Sequence, residues 1–343
     1  MAHYFYSHWW FCILTHWSNG WCNTPNPDIP ESSLLSNSAL VLLVLTQMEV
    51  ASVTLVIAGH SLIDMSFGAS KSTFTDGIFF VADSSITQRG QLLISGFKKV
   101  VETPVRVAGM NFLDEWFNGY LGYNYEGGCG IAFAGSTLVA QHIMNSIRNH
   151  LSDLKPTYLA GKYQLAMPCE GRKFLQGDYD MDMFQKRHLG SNYLLTAEFI
   201  ASVVEHSVQS VLIQAKKHKS MESMFSAYQA EFILGVCCPD TKKYHIYRYE
   251  ILPCATQGAT VAMEEIPEGK VAVIGMRKLH EQDANDAFAN AVATGRSTGP
   301  ALYDYLASAI TSQNGIGVFE IGFPAFHYKL EGIRLEHLSR RES

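Results

Sequence analysis

The strand-like and helix-like runs of this chain come in blocks, and the order of the blocks is its strongest constraint on fold. Apolar, β-branched SVTLVIAG (52–59) and GIFFVAD (77–83) read as strands, with Asp76-Gly77 as turn chemistry before the second. GFKKVVE (96–102) opens a third, and GIAFAG (130–135) is a short buried strand. Ser136 and Thr137 then offer an N-cap to a helix in which Val139, Ile143, Ile147 and Leu151 recur every four residues. A longer helix over 194–218 carries Ile200, Val204, Val208, Val211, Leu212 and Ala215 on one face. EFILGVCC and YHIYRYEI around a PDTKK turn form a hairpin, and KVAVIG (270–275) is another strand. Helices follow over 280–293 and 299–311, and IGVFEIGF (316–323) reads as the last strand. Such an order excludes simple β-α-β alternation. It predicts an α+β fold, two sheets each covered by a helix pair: a four-layer αββα sandwich.

The 343 residues are 47% hydrophobic, enough for a globular core, and neither an internal repeat nor a low-complexity linker divides them. We expect one domain over 51–343, with insertions at about 103–128 and 153–190, after an extension over 1–50. The extension holds Trp9, Trp10, Trp17 and Trp21, and no Lys or Arg occurs before residue 71. Its apolar run SALVLLVLT (38–46) lacks the basic flank of a secretory signal and is too short to span a bilayer. An extension, a propeptide or a start codon misplaced upstream of Met48 are the readings, with a membrane anchor or a metal site as alternatives. A net charge of −6 argues against nucleic acid as the main partner. Seven scattered cysteines without a C-x-x-C pair suit reduced thiols and a cytoplasmic location.

The strand Ile78 to Ala82 runs straight into Asp83. Burying a carboxylate is costly unless it is paired or hydrogen-bonded. Lys98-Lys99 lies fifteen and sixteen residues later. On spacing alone, Asp83 is a turn cap and the lysines are solvated; the chemical alternative is a lysine held against a carboxylate beside a nucleophile. FAGS (133–136) leads into a helix, so its backbone N–H groups could stabilise an oxyanion, or its glycine could serve close packing. Asp178, Asp180 and Asp182 open like a calcium loop, but Met183 and Leu189 replace its glycine and glutamate, leaving a solvated acidic loop. GGCG (127–130) lacks the Lys-Ser/Thr of a phosphate loop, and Cys129 reads as a small buried residue.

Taken together, the segments over about 50–325 resemble the proteasome β-subunit family, ring-forming threonine peptidases among the N-terminal-nucleophile hydrolases. DGIFFVAD ending at Asp83, GFKKV placing Lys99 sixteen residues on, and IAFAG ending at Gly135 before STLVAQHIMNSI carry the resemblance. FILGVCCPDTKKYHIYRYEI, KVAVIG and GIGVFEIG continue it in the family's order. The resemblance implies amide-bond hydrolysis by an N-terminal threonine, with Lys99 beside the nucleophile, Asp83 holding Lys99, and the Gly135 N–H in the oxyanion hole. It further implies self-association into rings or stacked rings, polypeptide substrates, a possible ATP-dependent unfoldase, and no cofactor, metal, nucleic acid or membrane.

The nucleophile is the point of departure. Sixteen residues before Asp83 stands Phe67, which cannot serve. Thr54 is the best match, since Ile57 and Ala58 then take the usual apolar and small positions; Ser52, Ser66 and no nucleophile at all are the alternatives. Val53 stands where the family places the glycine of self-cleavage, and TSQNGIG (311–317) lacks the family's aspartate. An inactive structural subunit and an amidase of the wider superfamily are therefore kept as competing readings. The aromatics of the first insertion, Phe112, Trp116, Phe117, Tyr120, Tyr123 and Tyr125, are either extra packing or contacts to neighbouring subunits or the substrate entrance.

Overall fold

The structure is a computed structural model describing residues 54–64, 73–88, 91–175, 194–217, 225–254 and 258–343. The N-terminal extension, Ser52, Ser66 and the acidic run at Asp178 lie outside the described residues. Strands β1 (Leu55–Asp64), β2 (Thr73–Ala82), β3 (Ile86–Gln88), β4 (Gln91–Ile94), β5 (Val100–Leu113) and β6 (Trp116–Gly135) precede helix α1 (Thr137–Leu151). A short hairpin, β7 (Lys155–Leu159) and β8 (Lys162–Ala166), leads to a 3-10 helix, Pro168–Lys173, and then helix α2 (Ala197–Ala215). Next come β9 (Ala230–Cys237), β10 (Tyr244–Cys254), β11 (Gly258–Ile266) and β12 (Val271–Gly275). Helices α3 (Arg277–Ala293) and α4 (Thr298–Gly315) precede the closing hairpin, β13 (Ala325–Glu331) and β14 (Arg334–Arg341).

Ten of the described strands form two five-stranded sheets, ordered β12-β1-β2-β13-β14 and β11-β10-β9-β6-β5, while β3-β4 and β7-β8 pair as separate two-stranded sheets. Side chains alternate faces along a strand, so an unbroken apolar run means that both faces are covered. In β1 and β2, Leu55, Ile57, Phe79 and Val81 pack with Phe288, Leu302, Leu306 and Ile310 of α3 and α4. Their neighbours Val56, Ala58, Ile78, Phe80 and Ala82 point the other way, onto Ala132, Ala134, Ile233 and Ile246 of the second sheet. That sheet turns Ile131, Phe133, Phe232 and Leu234 outward onto Ile143, Ile147, Ile200 and Val204 of α1 and α2. Phe80 keys the two sheets together: a Cβ at Gly130 or Gly235 would lie 2.8 or 2.7 Å from its ring. Burying a ring of this size contributes about 1.5–3 kcal/mol.

Several expectations are corrected. Asp76 and Gly77 lie inside β2 and make no turn. Gly77 is needed there because a Cβ would sit 2.5 Å from the Leu330 carbonyl oxygen of neighbouring β13. GIAFAG is no short strand but the inner end of β6, and residues 103–128 extend β5 and β6 into one long hairpin. Residues 316–323 form no strand; Ile321 and Phe323 plug the layer beneath α4, and the closing strands come later. Ser136 occupies the N-cap of α1 without a side-chain capping bond, while Thr196 caps α2 by accepting from the Phe199 N–H at 3.1 Å. Among the described residues, no helix is long and apolar enough to cross a membrane.

Candidate active site

Strand β1 starts one residue after Thr54, and β2 ends one residue before Asp83. Antiparallel pairing of Val56 with Ala82 brings these two ends side by side. Lys99 immediately precedes β5 and is anchored from the second sheet, where the Phe133 N–H donates to its carbonyl oxygen at 3.0 Å. The three side chains meet in the interior: Thr54 is 6% exposed, Asp83 0% and Lys99 4%.

Lys99 Nζ donates to Asp83 Oδ1 at 2.8 Å, to Thr54 Oγ1 at 2.9 Å and to the Ser85 carbonyl oxygen at 2.8 Å. Three acceptors match the three N–H bonds of an ammonium. Burial lowers the Lys99 pKa from its usual value, and the Asp83 carboxylate opposes that shift by charge and hydrogen bond. Asp83 is satisfied on both oxygens. Oδ1 also accepts from the Leu55 N–H at 2.9 Å; Oδ2 accepts from the N–H groups of Ser85 at 3.0 Å and Gly322 at 3.4 Å. Such a set of donors is what a fully buried carboxylate requires. The arrangement can polarise the Thr54 hydroxyl without exposing the charge pair to water.

Thr54 is fixed through its backbone as well. Its carbonyl oxygen accepts from the Met276 N–H at 2.9 Å. Gly275 has φ +87°, and a Cβ there would fall 1.9 Å from the same oxygen, so only glycine fits. The Gly275 N–H donates to Glu231 Oε2 at 2.7 Å; Glu231 pairs in register with Ala134, and burial raises its pKa. Gly135 closes β6 with φ +95°, two residues after Phe133. Thr54, Asp83 and Lys99 are thus in direct hydrogen-bond contact, and Gly135 is linked to Lys99 through the Phe133 backbone.

Sequence reasoning missed Ser85, Gly322, Gly275 and Glu231. Ser85 and Gly322 act through backbone atoms, which leave no side-chain signature, although a Cβ on Gly322 would fall 2.2 Å from Ser85 Oγ. Cys129 is buried against the Thr103 carbonyl, and burial pushes its thiol up to about 12, unsuited to a nucleophile. Of the aromatics on the long hairpin, Phe117 packs with Leu175, Phe112 and Tyr120, whereas Trp116 and Tyr123 are exposed.

No protein-family model and no curated protein matches the chain. Solved structures are similar at low identity. Anbu from Hyphomicrobium sp. strain MC1 is 13% identical over 84% of this chain and 88% of its own, with a TM-score of 0.42. A Gly-1 mutant of the same protein gives 12%, 84%, 87% and 0.42. Anbu (ancestral beta-subunit) from Yersinia bercovieri gives 13%, 84%, 88% and 0.41.

Proposed function

We propose that the chain is a proteasome-like threonine peptidase subunit of four-layer αββα architecture, hydrolysing peptide bonds from Thr54. The observation that carries the proposal is Lys99 Nζ donating to Thr54 Oγ1 and Asp83 Oδ1 at once, with all three side chains buried. Three successive apolar layers, helices on sheet, sheet on sheet and sheet on helices, support the architecture. Cleavage of the Val53–Thr54 bond would free the Thr54 α-amine. The Thr54 Oγ then attacks the scissile carbonyl carbon, its proton passing to that amine, directly or through water. The developing oxyanion meets the Gly135 N–H. As the C–N bond breaks, the leaving amine takes the proton, and water hydrolyses the ester left on Oγ. Lys99 stabilises the charge developing on Oγ, and Asp83 keeps Lys99 in place. Enclosure would come from self-association into rings, with polypeptides as substrates and an ATP-dependent unfoldase as feeder.

A second reading, a catalytically silent structural subunit, is favoured by one feature: Thr54 follows Val53, not a glycine that would ease self-cleavage. Incubating the full chain with a β-lactone, then intact-mass and peptide mapping, separates the two. A chain beginning at Thr54 and carrying one adduct there supports the peptidase, with Thr54→Ala unlabelled. An uncleaved, unlabelled chain leaves the silent subunit. Native mass measurement reads the ring, and a monomer removes the chamber.

A further inference from the structure

Away from Thr54, three side chains from separate elements converge on the outer face of the α1–α2 pair. His150 lies in the last turn of α1, His206 in the middle of α2, and Cys169 in the 3-10 helix that follows β8. One ligand atom from each lies within 4.8 Å of the others. Cys169 Sγ is 3.4 Å from His206 Nε2, and the two imidazole centroids are 5.4 Å apart with planes inclined by 59°. We propose that these residues form a zinc site with three protein ligands and a water in the fourth position.

The hydrogen bonds around His150 set its tautomer. Ser207 Oγ donates its only proton to the Val203 carbonyl oxygen at 2.6 Å. Ser207 Oγ lies 2.8 Å from His150 Nδ1; with its proton on the Val203 carbonyl it accepts from Nδ1–H, the tautomer that leaves Nε2 its lone pair. A metal-bound histidine usually donates its other ring N–H to an oxygen acceptor that orients the ring, and the Ser207 hydroxyl takes that place here. Cys169 is also held in advance. The Met167 N–H donates to Glu170 Oε2 at 3.1 Å, Glu170 pairs with Lys173, and Thr157 Oγ1 binds the Lys173 carbonyl. These contacts fix the 3-10 helix at both ends and occupy Glu170, the nearest acid of that helix.

One sulfur and two imidazole nitrogens suit a borderline-soft divalent ion and not magnesium or calcium, which take oxygen. Zinc bonds of about 2.0 Å to nitrogen and 2.3 Å to sulfur would draw the ligand atoms to about 3.3–3.6 Å apart. Exposed Cys169 and His206 can make that small closure by side-chain rotation. Three ligands leave a fourth, solvent-facing position. The ion would join the β7–β8 excursion to the helix pair, a link that the separate sequence positions do not announce.

The test uses the full chain purified without chelators, with zinc measured per chain by mass spectrometry of the element. The expected result is one zinc per chain, removed by EDTA and restored by ZnCl2, with the melting temperature rising on reloading. Cobalt(II) reloading should give a thiolate-to-metal charge-transfer band that Cys169→Ser abolishes. His206→Ala should lose the zinc, and Cys237→Ser, outside the cluster, should keep both zinc and band. Ser207→Ala should weaken zinc binding by about 10-fold or more. Circular dichroism of each variant verifies that the chain is folded. Zinc well below one per chain in the wild type, or full zinc with an unchanged cobalt band in Cys169→Ser, overturns the proposal.

Discussion

Strand β2 carries an aspartate–lysine pair near each end, and the two pairs are built differently. Asp83, just past the C-terminal end, faces Lys99 at 2.8 Å with side chains 0% and 3% exposed. Asp76, near the other end, faces Lys329 of β13 at 2.6 Å with side chains 18% and 19% exposed. By distance alone the outer pair is the closer one. The inner pair differs in its surroundings: backbone N–H groups fill the carboxylate, and Lys99 has a second and third partner in Thr54 Oγ1 and the Ser85 carbonyl oxygen. An ion pair of this kind is therefore not by itself a sign of chemistry. The hydroxyl held by the buried lysine is what distinguishes the two.

The two pairs should differ most at Asp83. Asp83→Ala leaves the Lys99 ammonium buried without its counter-charge, and we expect a loss of about 3–5 kcal/mol. Urea denaturation should show a lower midpoint with an unchanged slope, and β-lactone labelling of Thr54 should vanish. Replacing both partners, Asp83→Leu with Lys99→Met, should recover part of the stability and none of the labelling. A single Asp83→Ala that costs no more than the matching change at Asp76 would erase the distinction.

The inner pair was legible in the sequence because an apolar strand ending on an acid demands a partner, and the resemblance pointed to Lys99. Strands 55–58 and 78–82 were legible for a related reason, since both of their faces are buried and the apolar run is unbroken. The outer pair was hidden. Asp76-Gly77 has the composition of a turn, yet Gly77 serves the close approach of β13, a neighbour 253 residues from Asp76 at Lys329. Residues 316–323 misled in the opposite sense. Val318, Phe319, Ile321 and Phe323 give strand-like apolarity, but the segment is a connection that plugs the layer under α4 and offers the Gly322 N–H to Asp83. Strand β11 escaped notice because Met263, Glu264 and Glu265 leave its second half exposed and break the apolar pattern.

Next in size is an acid effect beside the outer pair. His327 sits two residues before Lys329 on β13 and is stacked on Tyr303 at 5.4 Å. Burial, then the charges of His337 and Lys329, lower its pKa from 6.5 to about 4. The unfolded chain therefore takes up this proton first. The stability it represents is present above pH 6.5 and is lost as pH falls toward 4, by up to about 3 kcal/mol. Denaturation midpoints between pH 7 and 4 should show this loss, and His327→Phe should flatten the profile. A profile equally steep in the variant would assign the acid sensitivity elsewhere.

Thr54→Val takes from Lys99 the hydroxyl that the outer lysine lacks. A buried donor losing one acceptor costs about 1–3 kcal/mol. Thr54→Ser restores the acceptor and should return most of that stability together with lactone labelling. Loss of labelling in Thr54→Val with wild-type stability would mean that Lys99 finds another acceptor there.

The smallest effect is expected at the outer pair itself. Asp76→Asn removes a charge from a bridge still touched by water, and we expect a change within about 1 kcal/mol at neutral pH. Its pH dependence is opposite in sign to that of Lys99. Burial alone would lower the Lys329 pKa, but Asp76, helped by Glu331, more than reverses this and leaves it raised. A raised lysine contributes stability below its ordinary value of 10.5 and loses that contribution as pH climbs through the folded value. For Lys99, lowered by burial, the unfolded chain holds the proton longer, so its contribution grows as pH rises toward 10.5. Alkaline denaturation of Lys329→Met should therefore converge on the wild type as the pH rises. Thr54→Val/Lys99→Met should instead drift below its own neutral-pH difference from the wild type. Parallel curves for the two variants would show that the pairs respond alike to pH and that burial does not set Lys99 apart from Lys329.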